Sequence, residues 1–243
     1  MRIDIFLVEN NITESRTEAK RFILDGAVSV NGKIVKKPSE EVAEDSVVSV
    51  DKSGKRFVSR GGLKLEAALD SFSVSVEGKS VLDIGASSGG FTDCVLQRGA
   101  RRVIALDAGH GQLAAVLRAD ERVFVIEDYN ARNLAVEDLP YVPDFAVMDV
   151  SFISATLIIP SVYNALALGG DFICLVKPQF EVGRSGLGKG GIVKSEKLRE
   201  AAVEKVAVLA KSLGFSYEGC IRSPIEGGDG NVEFLVHFKK GNS

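Results

Sequence analysis

From residue 81 onward the chain alternates short apolar runs with helix-length stretches, and this alternation restricts the fold more than any other feature. Val81–Gly85, Arg102–Asp107, Arg122–Glu127, Asp144–Val150 and Asp171–Lys177 are short and almost continuously apolar. Strands of that kind are buried on both faces, as in a parallel sheet. Gly90–Gly99, Gln112–Ala119, Ala155–Leu168 (despite Pro160) and Ser195–Leu213 read as the intervening helices. Ser216–Ile221 and Val232–Phe238 read as a closing pair of strands. Parallel strands need right-handed crossovers, so an α/β, Rossmann-like, mostly parallel seven-stranded sheet with helices on both faces is expected.

The first part of the chain is patterned differently. Thr13 or Ser15 can cap a helix carrying Ala19, Phe22 and Ile23, which Asp25-Gly26 ends. Val28-Ser29-Val30 and Lys33-Ile34-Val35 flank Asn31-Gly32, a strong hairpin signal because both turn residues tolerate positive φ. Pro38 ends the second strand, and Val47–Val50 supplies another. A small α+β domain is expected over residues 1–58 and a Rossmann-like domain over 59–243. The polar Lys52–Arg56 stretch and a flexible hinge at Ser59-Arg60-Gly61-Gly62 would mark the division.

Composition excludes several classes. With 45% hydrophobic and 26% charged residues, a 243-residue chain builds an ordinary core without staples. Cys94, Cys174 and Cys220 form no C-x-x-C pair, and His110 and His237 are far apart, so no metal site is expected. The beginning carries Asp4 and Glu9 and lacks the apolar run of a signal peptide, and no stretch is long enough to span a bilayer. A soluble, cytoplasmic protein is expected. The net charge of −3 argues against coating nucleic acid by bulk charge but leaves a local basic patch open.

The chemistry sits where the apolar runs end. Asp83-Ile84-Gly85-Ala86-Ser87-Ser88-Gly89-Gly90-Phe91 follows the first strand and opens a helix, and its glycines let backbone approach a ligand. A dinucleotide fingerprint would carry its second glycine at Ser87. The spacing here suits a cationic sulfonium with an amino-acid tail better than a pyrophosphate; a purely structural glycine turn is the competing reading. Asp107 and Asp128 end the next two runs, where carboxylates can receive ribose hydroxyls and the amino group of adenine, or simply cap helices. Asp149 and Lys177 end the next two, as a site pair or a salt bridge closing the sheet edge. Glu233 lies in an apolar closing strand and implies a partner. Lys64, in Ser59-Arg60-Gly61-Gly62-Leu63-Lys64-Leu65, would by itself be a solvated charge.

Together these motifs resemble the hemolysin A-like (TlyA-type) family of ribosomal RNA 2′-O-methyltransferases over essentially the whole chain. Ser15-Arg16-x-x-Ala19 with Gly26-x-Val28-x-Val30-Asn31-Gly32 is similar to an S4-type RNA-binding domain, and the remainder to the FtsJ-like, class I methyltransferase domain. The resemblance implies S-adenosylmethionine as cofactor, a cytidine of ribosomal RNA as substrate, and a Lys-Asp-Lys-Glu tetrad matched by Lys64, Asp149, Lys177 and Glu233. It implies cofactor contacts at Asp83, Gly85, Ser87, Gly89, Gly90, Phe91, Asp107 and Asp128. One departure is local: the family often carries tryptophan between the domains, where Arg56-Phe57-Val58 stands here.

Arg16, Lys20, Arg21, Lys33, Lys36 and Lys37 could track a phosphate backbone, with Arg60 in the linker motif. Arg184 and Lys189 sit in a glycine-rich segment that reads either as a loop over the substrate or as a plain connector. The rival readings are a nicotinamide oxidoreductase, disfavoured by Ser87; a non-catalytic RNA-binding or ribosome-assembly factor; and a membrane-lytic hemolysin, disfavoured by composition.

Overall fold

A computed structural model describes residues 1–243 except 25, 36, 44–45, 51–56, 228–229 and 242–243. Its contacts divide the chain into Met1–Ser59 and Arg60–Ser243.

In the first unit, α1 (Ile3–Glu9) and α2 (Arg16–Leu24) pack beside an antiparallel sheet of β1 (Val28–Val30), β2 (Lys33–Ile34) and β3 (Val48–Val50), in the order β2-β1-β3. Ser15 caps α2 by accepting a bond from the Glu18 N–H at 3.2 Å. Asn31 and Gly32 both adopt positive φ (50° and 77°), as the two-residue hairpin requires. Ile3, Phe6, Leu7, Ala19, Ile23, Val28, Val35 and Val42 form a core of their own. Sequence reading missed α1, which is seven residues long and buries Asp4 along with its apolar face.

The second unit opens with α3 (Gly61–Phe72). Gly61-Gly62, expected as part of a flexible hinge, instead forms the first turn of this helix, with Leu65, Ala68 and Leu69 buried behind it. Then come β4 (Ser80–Ile84), α4 (Gly90–Gln97), β5 (Arg102–Leu106), α5 (Ala115–Arg118), β6 (Val123–Ile126) and β7 (Phe145–Met148). They are followed by α6 (Ile159–Ala165), β8 (Asp171–Val176), α7 (Pro178–Glu181), α8 (Glu196–Leu213), β9 (Phe215–Arg222) and β10 (Phe234–Lys240). The expected helix over 112–119 shortens to α5. The one expected over 155–168 divides into a 3₁₀ turn at Ala155–Leu157 and α6, which takes Pro160 in its first turn, where no N–H is needed.

The strands form one sheet in the order β6-β5-β4-β7-β8-β10-β9. β4 to β8 run parallel, and β10 lies antiparallel between β8 and β9. On one face, Phe172, Cys174, Val176, Val236 and Phe238 pack with α6 and with Val206, Ala207 and Ala210 of α8. α3 takes the opposite face: its Phe72 ring lies 5.4 Å from that of His237, which alternates with Phe238 along β10. α8 starts on Ser195, whose hydroxyl accepts from the Leu198 N–H, and ends on Gly214 at φ 109°. Among the described residues, no helix is long and apolar enough to cross a membrane.

Candidate active site

The chain turns one way from β4 to reach β5 and the other way to reach β7, so the sheet reverses its strand order at β4. The carboxyl ends of strands beside such a reversal leave a crevice. The glycine turn fills its floor. Gly85 adopts φ 80°, and a Cβ there would collide with the Asp149 backbone carbonyl; the Asp149 N–H in turn donates to Ile84 O at 2.9 Å. Only glycine lets these two strand ends lie so close. Gly89, at φ 94°, precedes α4, with Gly90 as its first residue.

The expected cofactor positions divide into two groups. Asp83 and Phe91 are buried and support the turn from beneath. The Thr92 hydroxyl donates to Asp83 Oδ2 at 2.6 Å, while Oδ1 of the same carboxylate has no hydrogen-bond partner among the described residues. Burial pushes the Asp83 carboxyl up to about 7, against the lowering effect of the Thr92 bond, and the nearby Asp149 and Asp107 raise it further. Ser87, Asp107 and Asp128 lie at the strand ends. The Ser87 and Gly109 N–H groups each donate to Asp107 at 2.7 Å, which fixes that carboxylate. Asp128 Oδ2 lies 2.8 Å from His110 Nδ1. Glu127 beside it is held by Arg118 and by the Gly111 N–H, and the Arg118 bond draws its carboxyl below the usual range. Ser87 and Asp128 both hold positive φ (48° and 56°), uncommon for residues with a side chain.

The four tetrad positions come from four elements and form two ion pairs. Lys64 Nζ on α3 lies 2.6 Å from Glu233 Oε2, and both side chains are buried. Lys177 Nζ lies 2.6 Å from Asp149 Oδ1. Phe234 pairs with Val176 in the β8–β10 ladder, so one further step of register sets Glu233 beside Lys177. The two pairs therefore share one stretch of the sheet's carboxyl edge. The directed hydrogen bond of Lys177 goes elsewhere, to Ser151 Oγ at 2.7 Å.

Sequence reading missed three neighbours. Ser151 is the first. Phe152 is the second: it stands 91% exposed at φ 64°, with its ring 5.4 Å from that of Phe180. An exposed, left-handed phenylalanine beside an acid–base cluster is outside ordinary packing, yet nothing in Asp149-Val150-Ser151-Phe152 signals its backbone angle. Glu181 is the third. Its buried carboxylate accepts from Ser154 Oγ at 2.6 Å, the Ala155 N–H at 2.7 Å and Lys205 Nζ at 2.9 Å. An acid at the end of a four-residue helix could have been noticed, but its partners are distant in sequence.

The described basic positions are mostly exposed. Arg16 bonds Asp4 at 2.9 Å, Lys20, Lys37, Arg184 and Lys189 are exposed, and Arg60 is half-buried. Lys36 and the side chains of Arg21 and Lys33 lie outside the described residues, as does the Lys52–Arg56 stretch. Two 3₁₀ turns, Arg184–Gly186 and Lys189–Gly191, order the glycine-rich segment. Asn231, almost fully buried, anchors its far end, accepting from the Val193 N–H at 3.0 Å and donating to Gly191 O at 3.2 Å.

The strand order and the crevice at β4 define the Rossmann-like methyltransferase class. The FtsJ-like methyltransferase model matches residues 57–240, and the S4 domain model matches residues 1–48. The chain belongs to the FtsJ-like methyltransferase family. It is 47% identical to the Bacillus subtilis protein YqxC, provisionally named an rRNA methyltransferase, over 98% of this chain and 85% of that one. It is 42% identical to the 16S/23S rRNA (cytidine-2′-O)-methyltransferase TlyA of Mycobacterium tuberculosis, over 98% of this chain and 89% of that one. A solved structure from Streptococcus thermophilus, provisionally described as a hemolysin, matches with TM-score 0.78 and 44% identity, covering 100% of this chain and 89% of the other.

Proposed function

We propose that the protein is a cytoplasmic enzyme that methylates the ribose 2′-hydroxyl of a cytidine in ribosomal RNA, using S-adenosylmethionine. The observation that carries this reading is the Lys177 amine, held between Asp149 and Ser151 at the carboxyl edge of the sheet, with the Lys64–Glu233 pair in the next register position. The names of the relatives supply the substrate.

The residues present fit the cofactor. The crevice offers a glycine turn without cationic side chains and several carboxylates, a donor set suited to a positively charged nucleoside rather than a polyphosphate. Gly85, Ser87, Gly89 and Gly90 would hold the amino-acid portion, Asp107 the ribose hydroxyls and Asp128 the adenine amino group, with Asp83 and Phe91 supporting the turn. When bound, S-adenosylmethionine supplies an electrophilic methyl carbon on a cationic sulfur.

In its neutral form, its own proton first released to solvent, Lys177 would take the proton from the 2′-hydroxyl as that oxygen becomes the nucleophile. Asp149 keeps the amine in place and balances the charge it acquires. Lys64 and Glu233 hold the ribose. Phe152 offers an exposed ring on which an unstacked base can lie. Residues 1–58, with Arg16, Lys20, Arg21, Lys33, Lys36 and Lys37, would engage the RNA backbone, and Arg60, Arg184 and Lys189 would make further contacts of their own from residues 59–243.

The test supplies methyl-labelled cofactor and unmodified ribosomal subunits to the protein and to Lys177→Ala, then maps label on the RNA. Label is expected at a defined cytidine 2′-oxygen, reduced by at least about 100-fold in the variant, the scale of one general base. No label on either subunit or on free ribosomal RNA, with cofactor binding intact, overturns the substrate. Equal label with both proteins overturns the role of Lys177.

A further inference from the structure

We propose that Ser151 is a positioning residue that aims the Lys177 amine; this deepens the reading above and rests on it. Lys177 has two close oxygen contacts of different character. That with Asp149 Oδ1 is an ion pair, attraction with little directional demand. That with Ser151 Oγ is a hydrogen bond, which has a preferred direction. An amine nitrogen is tetrahedral. The neutral amine carries two hydrogens and one lone pair beside its side chain, and donating one hydrogen to Ser151 Oγ limits rotation about the Cε–Nζ bond. The directions open to the lone pair, which must point at the hydroxyl proton to receive it, are thereby restricted. With Asp149 alone, the amine could rotate about the ion pair and lose that aim.

The loop carrying Ser151 is held from both sides. Upstream, the Asp149 N–H bonds Ile84 O at 2.9 Å. Downstream, Glu181 accepts from the Ala155 N–H and the Ser154 hydroxyl. Glu181 ends α7, the helix for which Lys177 is the N-cap residue. The bonds thus close a ring from Lys177 through α7 to Glu181, across to Ser154 and Ala155, back along the chain to Ser151, and home to Lys177. Lys205 of α8 braces this ring at Glu181 with a bond of 2.9 Å. An exposed serine on a free loop would exchange its partner for water; this one is delivered to the amine by anchors on either side.

The experiment measures single-turnover methyl transfer, cofactor affinity and RNA affinity for the full chain and for Ser151→Ala, Ser151→Thr and Lys177→Ala. Ser151→Ala should slow transfer by at least about tenfold, the order expected when a catalytic group is misaimed. Cofactor and RNA dissociation constants should stay within about twofold, since the amine's aim, and not the binding surfaces, is altered. Ser151→Thr, which keeps the hydroxyl, should restore transfer to within about threefold of the parent. Melting temperatures should match, because the serine is exposed. Transfer by Ser151→Ala at the parent rate overturns the inference, as does a loss that Thr fails to restore or that tracks weakened binding. If the parent chain itself transfers no methyl group, the underlying reading fails; if the parent transfers and Lys177→Ala does not, a null result at Ser151 counts against the inference alone.

Discussion

Asp83 carries a cost that depends on pH. Its carboxyl is fully buried, has one hydroxyl donor, and is pushed up to about 7 from an ordinary value of 3.8. A carboxyl raised in the folded state holds its proton where the unfolded chain has released it. Folding stability therefore falls as pH climbs from about 4 to about 7, by up to about 1.4 kcal/mol per unit, and levels off above. The carboxylates of Asp4, Asp120 and Asp171 are all lowered and finish titrating below this window. Asp83→Asn keeps the shape and an acceptor for Thr92 but cannot ionise. Urea midpoints measured from pH 5 to pH 8 should show the variant gaining on the parent as pH rises. A constant gap across that range would mean that Asp83 is ionised throughout. Asp83, Asp149, Lys177 and Glu233 stood out in the sequence as charges set in or at the end of apolar runs, whereas Lys64 was singled out only by the family resemblance. Ser151 and Phe152 were not legible there, because their importance lies in a backbone path and a cross-chain bond that composition does not encode.

Among the elements, the meeting of β4 and β7 places a backbone constraint on the sequence at Gly85. Gly85 combines positive φ with a backbone neighbour in the space its side chain would need. Gly78 has a similar φ of 69° but nothing within 4 Å of a Cβ. Gly85→Ala should then cost about 2–4 kcal/mol of folding stability, from conformational strain plus displacement of the strand end. Gly78→Ala should cost about 1 kcal/mol, from strain alone. Denaturant unfolding of both variants checks this, and equal losses would show that the close approach is not what requires glycine at 85. The parallel strands were readable because burial on both faces leaves unbroken apolar runs. The α3 helix was obscured by Gly61-Gly62, which taken alone suggests flexibility; the apolar spacing of Leu65, Ala68 and Leu69 decides the matter once there is a sheet for it to cover. α5 came out shorter than its pattern because only Leu117 of the helix is buried.

At the scale of the whole molecule, the two contact units have separate hydrophobic cores. The second contains every tetrad and expected cofactor position. A fragment spanning 60–243 should accordingly fold and bind S-adenosylmethionine within about threefold of the full chain, while its KM for ribosomal subunits rises at least about tenfold through loss of a linked contact. Cofactor titration by calorimetry and subunit-dependent kinetics separate the two effects. A fragment that binds cofactor poorly would mean that the first 59 residues support the catalytic fold directly.

Lys64 and Glu233 form their buried pair across 169 positions of sequence. During synthesis the lysine is made long before its carboxylate, and the strand that brings the acid to β8 follows it. A chain halted anywhere between the two carries an unmatched ammonium and a sheet without its antiparallel neighbour at β8. The pair is therefore a contact that forms only once nearly the whole second unit has been made.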